Sequence, residues 1–125
     1  MLNGIIAGRK IAAAIKKAEK LGIKISNHSF GAKLNDDGTK WILVSYYYPI
    51  CPIGAVLLDS PARFKSFSKD AAYLLNVEEG WVKAFIAGFD HRVINRDLKY
   101  WYAYHFGKRL SHKLTWDNLK IKGLN

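Results

Sequence analysis

The sequence predicts an α+β domain that is mostly helical: an N-terminal amphipathic helix, a β-hairpin, then three to four helices. Three observations carry that prediction. Half of the 125 residues are hydrophobic and 24% are charged, a balance that buries a core and does not fit a disordered chain. Apolar residues recur at helical spacing near the N-terminus and again beyond Pro52. Between those stretches Asn35-Asp36-Asp37-Gly38, a turn-forming cluster, separates two segments of strand-like composition. The length fits a single domain over residues 1–125, and one Cys excludes a disulfide framework or a four-thiolate metal site.

In the first helix Ile11, Ala14, Ile15, Ala18 and Leu21 fall on one face, with Arg9, Lys16 and Lys20 opposite. Gly22 follows at the place of a left-handed helix terminus. Residues 28–34 and 39–48 are expected to pair as the hairpin, with a third strand available from 22–26. The uncharged stretch 41–58 contains Pro49 and Pro52, so it reads as strand, turn and short helix, and no membrane span is expected. Cys51 stands before that short helix, with Pro52 at its first position. Ser68 is the expected cap of a helix over 69–75. Asn76 caps the next, with Glu79 three positions on, and Gly88 ends it. Asn95 then caps a long helix over 96–114, whose core stripe is Leu98, Tyr102, Phe106, Leu110 and Leu114.

The formal charge is +10, and its distribution matters more than its size. From His91 onward eight Lys and Arg stand against Asp97 and Asp117, while Arg9, Lys10, Lys16, Lys17 and Lys20 crowd the first helix. On the last helix Trp101, His105, Lys108 and His112 share a second stripe, with Arg109 alongside. Rings interleaved with cations stack on bases while neutralising phosphates. The run Tyr100-Trp101-Tyr102-Ala103-Tyr104 holds more aromatics than one buried face accommodates, so some are expected in solvent.

Residues 68–88 resemble the helix-turn-helix of small bacterial and phage repressors. Ala72 stands where the two helices approach, Asn76 at the left-handed turn, and Leu75, Val77, Val82 and Phe85 at the positions that lock the crossing. The resemblance implies a recognition helix over 78–87. Its departures are chemical: Asn replaces the usual turn Gly, Trp81 is bulky, and Glu78 and Glu79 place carboxylates where phosphates would lie. The segment therefore reads as scaffold, and binding falls to the terminal helices.

Catalytic and metal chemistry find little support. A Cys51 thiol at a helix N-terminus would have a lowered pKa, but no spacing selects a partner among His28, His91, His105 and His112. His105 and His112 lie about 10 Å apart on a helix, too far for one ion. Phosphate-loop and serine-hydrolase motifs are absent, so no cofactor, metal or catalytic residue is expected. Apolar residues precede basic ones at the N-terminus, the reverse of a secretory signal, and a cytoplasmic location is expected.

The functional expectation is a small basic module that binds nucleic acid or another polyanion through Arg9, Lys16, Lys20, Trp101, His105, Lys108, Arg109 and His112. A second expectation is a regulator that docks on an acidic protein surface. Lys outnumbers Arg fifteen to five, which fits an AT-rich coding source and a phage-encoded inhibitor in a host cytoplasm. The third is an enzyme that depends on Cys51.

Overall fold

The computed structural model describes residues 2–27, 29–92 and 98–121. Its order is helix α1 (Leu2–Lys20), strands β1 (Ala32–Leu34) and β2 (Trp41–Leu43), then helices α2 (Pro52–Leu57), α3 (Phe67–Leu75), α4 (Glu79–Phe89) and α5 (Trp101–Ile121). A 3-10 turn, Leu98–Tyr100, leads into α5. The protein is α+β and mostly helical, with hairpin and helices in the expected order. Among the described residues no helix is long and apolar enough to cross a membrane.

Helix α1 buries Ala7, Ile11, Ile15 and Ala18, one stripe of its surface. Gly22 ends it in the left-handed conformation, and the Ile23 N–H returns to the Ala18 carbonyl at 3.0 Å. That reversal swings Leu21 into solvent and puts Ile23 in the core, where periodicity had placed Leu21. The strands pair antiparallel, Ala32 with Leu43 and Leu34 with Trp41. They are shorter than expected because the chain turns at Ser45, leaving Tyr46, Tyr47 and Tyr48 exposed. Segment 22–26 does not join the hairpin. Ile25 forms a single parallel bridge with Ile50 instead.

Helix α2 is the centre of the core, with Pro52, Ile53, Gly54, Ala55 and Leu57 buried against α1 and α3. Its position explains why residues 50–57 carry no charge, since burying an unpaired charge there would cost several kcal/mol or more. On α3 the core does take in a carboxylate, Asp70, 1% exposed. Its carboxylate accepts the Trp41 indole N–H at 2.7 Å and the Phe64 backbone N–H at 2.6 Å, which ties hairpin, loop and helix together.

The helix ends differ from the expected caps. Ser66 holds the position before α3, whereas Ser68 lies inside the helix and donates to Glu79 Oε2 at 2.7 Å. Asn76 terminates α3 in the left-handed region, with Val77 N–H on the Ala72 carbonyl at 3.1 Å, and Glu78 precedes α4. Asn76 therefore closes one helix and does not open the next. Gly88 does not end α4. The left-handed residue there is His91, and Arg92 N–H reaches the Ala87 carbonyl at 2.8 Å.

Gly88 serves the most extensive helix contact, α4 on α5. A Cβ on Gly88 would fall on the Tyr104 carbonyl, and one on Gly107 would fall on the Phe85 carbonyl. Glu78 meets Lys99 and Tyr100 at one end, while His91 meets Ser111 at the other, so α4 and α5 run in the same direction. The expected cap Asn95 and first helical residue Arg96 lie outside the described residues, as does His28. Helix α5 extends past the expected end at Leu114 as far as Ile121.

Gly88→Ala and Gly107→Ala are expected to destabilise by about 3 kcal/mol or more, because backbone must move to admit the methyl. Gly22→Ala faces open space and carries only the left-handed penalty, about 1 kcal/mol. Urea unfolding of the three variants checks the order.

Candidate nucleic-acid interface

The rotation of α5 decides which rings face solvent. Ala103, Gly107 and Ser111 are small, four residues apart and buried, so they form the face that sits on α4. Phe106, Leu110 and Leu114 flank this face half-buried. Tyr102, expected in the core, is 68% exposed, since the small residues claim the contact and turn it outward by roughly a quarter turn. The side chain of Leu98, the fifth expected member, lies outside the described residues.

The second stripe is at the surface. Trp101 is 48% exposed, and its ring lies 5.4 Å from Tyr102 edge-on and 4.4 Å from His105. His105 and Lys108 are half-buried, Arg109 and His112 exposed. His112 packs edge-on against His91 at 4.9 Å, and His91 Nε2 lies 2.9 Å from Ser111 Oγ. The sequence stripe thus divides: Trp101 and His105 form one ring pair, while His112 joins the residues that follow α4.

Arg9, Lys16 and Lys20 are exposed on α1. The link from α1 to α5 is Gly8, where a Cβ would lie 3.2 Å from the Phe106 ring. Arg9 follows Gly8 directly, and Tyr102 is one turn before Phe106 on α5. Lys16 and Lys20 lie about 10 and 16 Å farther along α1. Lys10 points the other way and donates to the Leu74 carbonyl at 3.0 Å. The ion pairs among the described residues are Lys40–Asp59, Lys83–Glu79, Arg92–Asp90 and Lys99–Glu78, none of which engages Arg9, Lys16, Lys20, Lys108 or Arg109.

The two carboxylates at the start of α4 are both engaged. Glu78 accepts Tyr100 OH at 2.6 Å and Lys99 Nζ at 3.0 Å, and these two partners hold it below the usual carboxylate range. The same contacts raise Lys99 and Tyr100. Glu79 takes Ser68 and pairs with Lys83. Ala72, Leu75, Val82 and Phe85 are buried and Asn76 is left-handed, while α5 covers the Ala84–Gly88 side of α4.

Cys51 does precede α2, with its Sγ accepting the Gly54 N–H at 3.3 Å. The thiol is not activated by that position. It is 3% exposed, and burial outweighs the amide contacts, pushing it up to about 12. Among the described residues no group of three or more His, Cys, Asp or Glu is placed to hold a metal ion.

Tyr102 is the site residue that an i, i+4 reading misassigns. The repeat of small residues Ala103, Gly107 and Ser111 is the signal that identifies the true contact face. The tyrosines at 46–48 are the other omission: strand composition hid a turn that leaves Tyr47 95% exposed.

Cys51 is expected to resist iodoacetamide at neutral pH in the native protein and to react at once in denaturant, read by mass spectrometry. For the Glu78 clasp, a lowered folded pKa contributes stability above the unfolded value of 4.5 that is lost as pH falls through the folded value. Lys99, raised by the same contact, contributes below 10.5 and loses its share as pH rises through its folded value. Thermal midpoints of wild type and Glu78→Gln should differ at pH 7 and converge as pH drops below the ordinary carboxylate range.

No family model matches the chain, and neither does any curated protein or solved structure.

Proposed function

We propose that the protein binds nucleic acid, with single strands preferred, through the surface that borders the α1–α5 seam. One observation carries the reading: Trp101 and Tyr102 stand side by side in solvent on a helix whose next cations, Lys108 and Arg109 about two turns on, form no ion pair among the described residues. Exposed rings stack on unpaired bases at about 1–3 kcal/mol each, and Lys and Arg neutralise the phosphates between them. Lys108 and Arg109 provide charge about 10 Å along α5 from the rings, and Arg9, Lys16 and Lys20 line α1. His105 backs the Trp101 ring. The α3–α4 pair supports this surface without reading bases itself, and the reading assigns the protein no reaction.

An acidic protein partner is the second reading, favoured by the exposed Tyr46, Tyr47 and Tyr48, because aromatic rings anchor protein interfaces. Anisotropy titration with fluorescent single-stranded RNA and DNA decides between the two. Affinity should fall at least tenfold between 50 and 200 mM salt. Trp101→Ala is expected to weaken binding about tenfold, and Arg9→Glu with Lys16→Glu should abolish it at moderate salt. Absence of binding at low salt refutes the nucleic-acid reading, and nuclease-resistant capture of an acidic protein supports the second.

A further inference from the structure

On the opposite side of α4 from its buried face, a cleft of about 230 Å³ opens between the hairpin, α3 and α4. Its lining combines the rings of Phe30 and Phe67 with apolar Ile86 and Ala87 and with the polar Ser68, Lys83 and Arg92. The two rings belong to a stack of three. Phe30 lies on Phe67 with centroids 4.4 Å apart, and Trp41 supports Phe67 edge-on at 5.9 Å. The Trp41 indole is fixed in turn by its hydrogen bond to buried Asp70. Phe30 is 51% exposed, so the stack ends in an open ring whose backing is already ordered.

The charged part of the lining is cationic. Lys83 and Arg92 extend into solvent; of their carboxylate partners Asp90 is 4% exposed, while Glu79 is half-buried and accepts from the cleft-lining Ser68. The pairs span 3.9 Å for Lys83–Glu79 and 3.4 Å for Arg92–Asp90, longer than a charge-assisted hydrogen bond, so both cations have donors to offer a ligand. The volume is below the roughly 300–1,000 Å³ of a typical small-molecule site, enough for one ring with its sugar left at the mouth.

We propose that this cleft binds a nucleoside monophosphate, with the base on the Phe30–Phe67 stack and the phosphate between Lys83 and Arg92. A ring without the anion leaves both cations unused, and an anion without the ring leaves Phe30 in water. The site uses no residue of α1 or α5, so its occupancy does not depend on the nucleic-acid surface proposed above.

Calorimetric titration of the full chain with AMP, UMP, adenosine, inorganic phosphate and phenyl phosphate tests it. AMP or UMP is expected to bind at least tenfold more tightly than adenosine, phosphate or phenyl phosphate. Arg92→Ala should weaken AMP about tenfold and leave adenosine unchanged, the loss of one charge-assisted contact. Phe30→Ala should weaken both, with Phe30→Tyr retaining AMP and confirming that the fold is intact. Arg9→Glu with Lys16→Glu should leave AMP binding unaltered, which separates this site from the α1–α5 surface. No AMP or UMP binding at millimolar concentration overturns the proposal. So does equal affinity for phosphate or phenyl phosphate, or AMP affinity indifferent to Phe30→Ala.

Discussion

The backbone-to-backbone approach of α4 and α5 is the constraint from which the surface chemistry follows. Gly88 and Gly107 let two helices meet with carbonyl oxygens where side chains usually stand. That contact fixes the rotation of α5, because only Ala103, Gly107 and Ser111 are small enough to face α4. Every other position on α5 is then determined: Phe106 turns toward Phe85 and α1, and Trp101 and Tyr102 turn toward water. The charge on the outer face is a consequence of geometry settled inside. Tyr100 completes the arrangement, closing over Gly80 while its hydroxyl holds Glu78.

A second constraint operates on the other half of the molecule. Two strands of three residues are too short to be stable alone, and Trp41 provides their attachment. Its ring is 5% exposed, and its one polar atom is satisfied by Asp70, which also takes the Phe64 amide. A carboxylate in such a place is tolerable only because each oxygen has a donor. The same indole supports Phe67 and, through it, Phe30. One buried polar contact thus orders a stack of rings that reaches the surface.

The architecture was legible because it rests on strong local signals. The Ile11–Ile15–Ala18 spacing marked α1, Gly22 its end, and Pro52 the start of α2. The helix ends after α2 were less readable: Asn76 is left-handed, as the repressor-like spacing implies, but His91 adopts a left-handed backbone that its residue type permits and does not demand. Gly88 looked like a terminator because glycine serves both as a terminus and as a close contact, and nothing local separates the two roles. Tyr102 differs for a related reason: i, i+4 spacing selects the largest apolar stripe, whereas the α4 interface is made of the small residues Ala103, Gly107 and Ser111. Cys51 shows the limit of a position-based argument. Its amide contact does act to lower the pKa, but burial, which depends on the fold around α2, is larger. Of the candidate site, Arg9, Lys16, Lys20, Arg109 and Trp101 lie exposed and Lys108 half-buried, while the contact of Gly8 with Phe106 depends on helix packing that no local spacing encodes.

That α4 and α5 run the same way has a bearing on the order of assembly. Antiparallel neighbours close through a short turn and can dock as soon as both exist, but here the chain has to return the length of α4, about 16 Å, before α5 begins. Synthesis proceeds from the N-terminus, so Phe85 and Phe89 emerge well before Phe106 and Gly107 can cover them. The last helix is a late, non-local addition, and until it arrives the apolar side of α4 is open to any other chain nearby. The surface that carries the outward rings is also the piece that shields the core.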